Sequence, residues 1–268
     1  MIHSIQSSLA LLRQTKPVIL CLTNYVTMDF MANSLLAVGA LPIMSVCDKE
    51  LDELIQLSHA VMINLGTLDR DFIKRCHHAS KLATHYQKPI ILDPVGAGAS
   101  VIRTQSAREL MRYAAIIRGN ASEIRSLIED KNKTLGVESA CPTEHAKASA
   151  RQLAQLLACT VVVSGAEDFI TDGEREDSLH FGSPLMPLIT GMGCTLTAVI
   201  AAFQAVLPES YTAAQQATSY FGLCGNATHL KTTQPGTFRS IFIDELYAAE
   251  FTHLTRLNFI LNSEVFNT

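Results

Sequence analysis

An α/β fold with a doubly wound, mostly parallel central sheet is predicted by two features of the sequence. Short apolar runs alternate with amphipathic stretches along the chain, and this alternation is typical of parallel strands joined by right-handed helical crossovers. In addition, 48% of the 268 residues are hydrophobic and only 17% are charged, which favours a sheet covered by helices on both faces. One domain over residues 1–268 is expected, because neither a repeat nor a linker divides the chain.

The strands are recognised as short apolar runs, several of which end in a polar residue or a turn. Their length and their content of Val, Ile and Leu are typical of parallel strands that are buried on both faces. The runs predict strands over residues 17–22, 41–44, 60–65, 88–93, 114–118 and 160–164. Two further runs, DFIT and SLHF, flank Asp172-Gly173 and predict a hairpin.

The amphipathic stretches between these runs predict the helices. Gly39 follows the first stretch, and glycine is a common residue just past the end of a helix. The polar segment EDKNKTLGVES, which begins at Glu129, predicts a surface loop. The pattern predicts helices over residues 28–38, 49–57, 69–86, 104–113, 143–157, 194–206, 211–230 and 238–259.

Charge, hydropathy and cysteine content exclude several classes of protein. The net charge is −4 with scattered Lys and Arg, which leaves no basic face for nucleic acid. No apolar run approaches the roughly 18 residues of a membrane span, and the amino terminus lacks the order of a signal peptide. The seven cysteines form no CxxC, so reduced thiols in a cytoplasmic protein are expected.

The chemistry is expected where the predicted strands enter loops, because open α/β sheets bind ligands beyond the carboxyl ends of their strands. The segment ITGMGCTLTAV, residues 189–199, places Gly191 and Gly193 just before a helix that starts near Cys194. The unpaired amides and the dipole of a helix start make an anion site suited to a phosphoryl group. A closely packed helix entry that binds nothing is the alternative.

Three other strand ends carry polar groups. Asp93 closes the strand in ILDPVGAGAS and is a candidate Mg²⁺ ligand, or simply an Asp-Pro turn. Arg118 ends the next strand and suits a phosphate. Asn120 and Glu123 have the spacing of a capping box, which accounts for both without function. Asn24 offers a donor and an acceptor to a polar heterocycle, with a helix cap as the alternative.

Six segments in one order, from Thr23 to Tyr247, together resemble the hydroxyethylthiazole kinase family of the ribokinase superfamily. They are TNYVTMDFMANSLLAVGALPIMS, NLGTL, ILDPVGAGAS, IRGNASEI, ITGMGCTLTAV and QPGTFRSIFIDELY. The resemblance implies transfer of the γ-phosphoryl group of ATP to 4-methyl-5-(2-hydroxyethyl)thiazole, with Mg²⁺, in the thiamine pathway. It also implies a homotrimer with active sites between subunits.

The same resemblance implies roles for residues on the acceptor side. Asn24 and Met44 would line the thiazole pocket, with Gly191 near the hydroxyethyl end. The amides from Gly191 through Gly193 to Cys194 would form the anion hole. Cys194 would occupy the position at which most ribokinase-like enzymes have an aspartate general base.

On the nucleotide side, the resemblance implies that Arg118 and Ser164 contact ATP and that Asp93 and Glu123 hold Mg²⁺. This chain departs from the family pattern at Met192, where Thr is usual, and at Ser164, where Thr is common but the hydroxyl is kept. The segment AEDFITDG is less typical than the rest.

Three other functions remain open from the sequence. They are a kinase for another alcohol, such as a sugar, a pyrimidine or pyridoxal; a non-catalytic regulator with the same fold; and an ADP- or ATP-using lyase. Cys194 is unfavourable to the first, because those kinases generally have Gly-Asp there. The presence of Asp93, Arg118, Glu123 and both glycines is unfavourable to the second.

Overall fold

The computed structural model describes residues 2–129 and 142–248. Within them, one eight-stranded sheet has the order β2-β1-β3-β4-β5-β6-β7-β8. The strands are β1 (Val18–Leu22), β2 (Leu41–Met44), β3 (Ala60–Asn64), β4 (Ile90–Asp93), β5 (Ile116–Asn120), β6 (Thr160–Ser164), β7 (Asp168–Thr171) and β8 (Glu176–Leu179). The first six pair in parallel and β7 and β8 pair antiparallel, which confirms the predicted sheet and hairpin.

Helices cover both faces of this sheet, as its apolar strands require. They are α1 (Ile2–Thr15), α2 (Met28–Val38), α3 (Leu51–Leu57), α4 (Arg70–His85), α5 (Val101–Leu110), α6 (Ala121–Ile128), α7 (Pro142–Leu157), α8 (Met192–Gln204), α9 (Ser210–His229) and α10 (Pro235–Ala248). Residues of α1, α2 and α8 to α10 form the core on one face, and residues of α3 to α7 form the core on the other.

Alternate strand residues supply these two cores. Ile19 and Cys21 of β1 belong to the core under α8, whereas Leu20 and Leu22 belong to the opposite one. This follows from the two-residue period of a strand. Because both faces are covered, these strands have no polar alternation.

The structure differs from the predicted elements in several places. The helices α1 and α6 are not among the predicted helices, although the buried Ile5, Leu9 and Leu12 of α1 have helical spacing. The helix α5 begins at Val101, three residues before the predicted start, because the Ser100 side chain accepts from the Arg103 N–H. The second hairpin strand lies over Glu176–Leu179. Most of the loop predicted from Glu129 and the helix beyond Ala248 lie outside the described residues.

Candidate active site

The carboxyl ends of six neighbouring strands bring most of the predicted site residues to one edge of the sheet. Met44 ends β2, Asn24 follows β1, Asn64 ends β3 and Asp93 ends β4. Arg118 lies in β5, and Ser164 ends β6. Because this order is the spatial order of the strands, the predicted acceptor side and the predicted nucleotide side lie at opposite ends of one row.

The start of α8 lies across this row. Gly191 precedes the helix in the left-handed conformation, with φ 96°, which a residue with a side chain rarely adopts. Its carbonyl accepts the first intrahelical bond, from the Thr195 N–H at 2.8 Å, so the helix begins two residues before the predicted Cys194. The Met192 N–H donates to the Ile189 carbonyl at 3.3 Å. The amides of Gly193 and Cys194 therefore remain for a ligand.

Arg118 is nearly buried and connects the middle of the row with its nucleotide end. Its Nη2 donates to the Ser164 hydroxyl, and its Nη1 lies 3.8 Å from Oδ2 of Asp93. A Cβ added at Gly193 would come within 2.6 Å of the same Nη1. The guanidinium therefore packs directly against the start of α8, and only glycine at position 193 leaves room for it.

Asp93 is fully buried. Its Oδ2 accepts from Asn64 Nδ2 at 2.7 Å and from the Thr197 hydroxyl at 3.0 Å. Burial raises the pKa of this carboxyl to about 6, with Arg118 acting against the rise and Glu123 adding to it. The other oxygen, Oδ1, is buried without a hydrogen-bond partner among the described residues. Such an oxygen is costly to leave unpaired and suits a cation.

Glu123 forms the predicted capping box with Asn120. Its Oε2 accepts from the Asn120 N–H and its Oε1 from the Gly96 N–H, each at 2.8 Å. In return, the Asn120 side chain accepts from the Glu123 N–H at 3.0 Å. Glu123 thus has a structural role at the start of α6 and in the loop after β4, and each of its oxygens already accepts a backbone bond.

Asn24 is buried, and its polar atoms are used within the chain. Its Oδ1 accepts from the N–H and the hydroxyl of Thr27, at 3.1 and 3.0 Å. Its Nδ2 donates to Asn64 Oδ1 at 2.9 Å and lies 3.5 Å from Sγ of Cys194. The helix-cap alternative is close to what is found, because Asn24 holds the residue that precedes α2.

The Cys194 thiol is protonated at neutral pH. Burial, together with the nearby Asp93, raises the pKa of the thiol to about 11 against the opposing effects of Asn64, Arg118 and Asn24. A helix start lowers a thiol pKa when the thiol is exposed to it, but here burial has the larger effect.

The donor set suits Mg²⁺ only together with a substrate. Among the described residues, no group of three or more His, Cys, Asp or Glu side chains converges as a metal site. Mg²⁺ is usually bound by one or two carboxylates, with phosphates and water completing its coordination. Asp93, with its unpartnered Oδ1, fits that arrangement, whereas Glu123 fits it only through water.

Three residues of this edge carry no expectation from the sequence. Asn64 lies in the quoted segment NLGTL, Thr197 lies one turn after Gly193, and Asp168 begins β7. Asp168 Oδ1 accepts from the Gly165 N–H at 3.0 Å, which closes the turn after Ser164. Asn64 and Asp168 are polar residues that border apolar runs, and this position could have marked them as candidate site residues. The neighbouring sequence does not show which residues they contact.

The fold is shared with solved structures of kinases. An ADP complex of Bacillus subtilis pyridoxal kinase has the same fold, with a TM-score of 0.59 at 17% identity over 78% of this chain and 91% of that one. At that identity the likeness concerns the fold alone.

Sequence comparison identifies the family to which the chain belongs. The family model described as "Hydroxyethylthiazole kinase family" matches residues 9–251. A hydroxyethylthiazole kinase of Chlamydia felis is 50% identical over 96% of this chain and 98% of that protein. The structure of a hydroxyethylthiazole kinase protein from Pyrococcus horikoshii has a TM-score of 0.85 at 35% identity, covering 92% of this chain and 93% of that one. The chain belongs to the hydroxyethylthiazole kinase family.

Proposed function

We propose that this chain transfers the γ-phosphoryl group of ATP to the hydroxyl of 4-methyl-5-(2-hydroxyethyl)thiazole. Membership of the family supports the substrate pair. The observation that carries the proposal is the row of groups at the carboxyl edge of the sheet. The Arg118 and Ser164 side chains are in contact at one end of this row. At the other end, Asn24 Nδ2 lies 3.5 Å from Cys194 Sγ, and the start of α8 lies between the two ends.

Arg118 and Ser164 bind the ATP phosphates in this proposal. A guanidinium makes paired, charge-assisted hydrogen bonds to phosphate oxygens. The amides of Gly193 and Cys194 stabilise the charge on the phosphoryl oxygens during transfer, as preorganised donors at a helix start do. Met192 in place of the usual Thr removes one hydroxyl there but leaves both amides.

The thiazole lies on the acceptor side in this proposal, between Asn24, Met44 and Gly191. Because the polar atoms of Asn24 are used within the chain, this residue shapes the pocket and holds Cys194 in place. The Cys194 thiol orients the acceptor hydroxyl. Phosphoryl transfer has a loose transition state in most analyses, so the proton leaves the alcohol late and its removal contributes modestly.

Mg²⁺ would be held by Asp93 directly or through water, and by Glu123 through water. When bound, it would neutralise charge on the phosphates that approach Asp93. Arg118 already lies 3.8 Å from Asp93, so the phosphates meet a cationic group at this position as well.

We also propose a cytoplasmic homotrimer whose active sites lie between subunits. None of the described helices combines the length and apolar character needed to cross a membrane, and the cysteines at 21, 47, 76, 159, 194 and 224 are free thiols. The acceptor side lies beside β2, one of the two edge strands of the sheet within the described residues. Leu36 in α2, Leu41 in β2 and Val46 just after β2 are exposed, which suits a subunit contact.

A coupled assay of ADP release over thiazole, pyrimidine, pyridoxine and sugar alcohols tests the function. We expect Mg²⁺-dependent ADP release with hydroxyethylthiazole and, by mass spectrometry, one added phosphate on the alcohol. A much faster reaction with another alcohol contradicts the substrate. ADP release from none of them indicates a regulator or a lyase.

A further inference from the structure

Asn64 joins the two sides of the row. It ends β3 between the neighbouring strands β1 and β4 and is fully buried. Its Nδ2 donates to Asp93 Oδ2 at 2.7 Å. Its Oδ1 accepts from Asn24 Nδ2 and from the Gly66 N–H, each at 2.9 Å. Every bond of its carboxamide is therefore made to another part of the site or to the loop that follows β3.

Backbone amides determine the direction of these bonds. The N–H groups of Thr27 and Gly66 can only donate, so the carboxamide atoms that they contact in Asn24 and Asn64 are oxygens. Asn24 must then present its NH₂ to Asn64, and Asn64 must present its NH₂ to Asp93. An ionised carboxylate at position 64 has no donor for Asp93, and an aliphatic side chain has neither group.

These bonds form one continuous chain of contacts across the site. Asn24 Nδ2 lies 3.5 Å from Cys194 Sγ at one end, and Asp93 Oδ2 lies 3.8 Å from Arg118 Nη1 at the other. Gly66 packs against the Asn24–Asn64 pair in the middle of these contacts, because a Cβ there would come within 2.8 Å of both Asn24 Nδ2 and Asn64 Oδ1. Asn64 therefore links the contacts of Cys194 with those of Asp93 and Arg118.

We propose that Asn64 is a positioning residue for phosphoryl transfer, which holds the acceptor side around Cys194 in register with the phosphate side around Asp93. This inference rests on the proposed function. Asn64 acts through Asn24 and Asp93 and contacts neither substrate. Its contribution is alignment, and a misplacement of about 1 Å between reacting groups costs on the order of 100-fold in rate.

The Asn64→Asp and Asn64→Ala variants test this role. We expect kcat to fall by about 100-fold in each, the cost of lost alignment. The apparent KM for ATP should stay within about twofold and nucleotide should bind at full stoichiometry, because Arg118 and Ser164 hold each other. Asn33→Ala is the control. Asn33 is an exposed asparagine whose side chain bonds Asp29 on the same helix, so its loss should leave kcat unchanged.

A double-mutant cycle with Asn24→Ala gives a readout that general destabilisation does not reproduce. If Asn64 acts through Asn24, the double variant should be no more than about twofold slower than the slower single variant. Gly66→Ala should lower kcat in the same way, because it displaces both carboxamides without changing them. This variant and the nearly isosteric Asn64→Asp keep the test valid if Asn64→Ala does not fold.

Additive effects of Asn24→Ala and Asn64→Ala would overturn the inference, and so would Asn64→Asp with kcat within twofold of the unmodified protein. A loss of nucleotide binding in proportion to kcat would overturn it as well. If the unmodified protein phosphorylates a different alcohol, the proposed substrate fails, but the same cycle run with that alcohol still decides the role of Asn64.

Discussion

Cys194 combines a position at the start of α8 with a thiol whose pKa burial raises to about 11. Because the thiol is protonated at neutral pH and the transition state is loose, its side chain should matter less than the amides beside it. We expect Cys194→Ala to lower kcat without abolishing it. Cys194→Asp should stay active, since a carboxylate suits a helix start and a proton-accepting role.

Gly193→Val is the matched comparison. Its side chain would meet Arg118, whose Nη1 lies 2.6 Å from the position of an added Cβ, and it would crowd the amides. Turnover should therefore fall further than in either Cys194 variant. The measurement is kcat for all three proteins at matched thermal stability. Inactive Cys194→Ala beside normal Gly193→Val would contradict an anion-hole mechanism and give the thiol an essential chemical role.

Asp168 allows a test of electrostatics that does not depend on turnover. Burial raises the pKa of its carboxyl to about 6, against the Gly165 N–H and Arg118, whereas an unfolded aspartate titrates at about 3.9. Between these values the folded chain keeps a proton that the unfolded chain has lost. The contribution of Asp168 to stability is therefore present below about pH 4 and is lost as the pH rises to about 6.

Asp168→Asn should remove this dependence, because the amide is neutral throughout and its oxygen still accepts from Gly165. Relative to the unmodified protein, the free energy of unfolding of the variant should increase by on the order of 2–3 kcal/mol between pH 4 and pH 6.5, since one pKa unit corresponds to about 1.4 kcal/mol. Urea unfolding of both proteins across that range measures the difference. Asp93 titrates in both proteins, so its contribution cancels in the difference between them. A stability difference that does not change with pH contradicts the raised pKa of Asp168.

At the scale of elements, Glu123 connects the start of α6 with the loop after β4. Both of its oxygens accept hydrogen bonds from backbone N–H groups. In Glu123→Gln, an NH₂ group therefore faces one of these N–H donors. The variant should lose about 1–3 kcal/mol of stability, the cost of a buried donor left without an acceptor. Activity should fall as well if the charge of Glu123 supports Mg²⁺ through water.

A Mg²⁺ titration separates these two effects. The structural loss appears in thermal unfolding without nucleotide, whereas a role toward the metal raises the Mg²⁺ concentration needed for half-maximal turnover. Glu129→Gln is the control, because Glu129 pairs with Arg125 at the far end of α6. An unchanged Mg²⁺ requirement in Glu123→Gln would leave Glu123 with its capping role alone.

The elements also indicate how far sequence reasoning extends. The parallel strands were predictable because strands covered on both faces are apolar runs, and the Asn120–Glu123 capping box was predictable because both residues are local. The Asn24–Asn64–Asp93 contacts were not, since each joins residues tens of positions apart whose strands become neighbours only in the folded sheet. The helix α1 shows the helical spacing in its sequence, yet its docking on α8 and α9 is a tertiary contact.

At the scale of the whole molecule, the edge strand β2 decides whether the chain acts alone. Within the described residues it pairs only with β1, and Leu41 at its start is 43% exposed. Unprotected apolar edges favour association with another chain. Because we propose a homotrimer, we expect light scattering to give about three times the 29.2 kDa mass of the chain for the unmodified protein.

Leu41→Lys should reduce that mass to the value for one chain, because a charge at the edge strand opposes burial. Turnover should fall with the mass, since the proposal places active sites between subunits. Leu156→Lys is the control. Leu156 is equally apolar and is 65% exposed, but it lies on α7 and not on the edge strand β2. A mass unaffected by Leu41→Lys, or reduced equally by Leu156→Lys, contradicts an assembly through β2. A single-chain mass with full turnover contradicts a shared active site, because each chain then completes the site from its own residues.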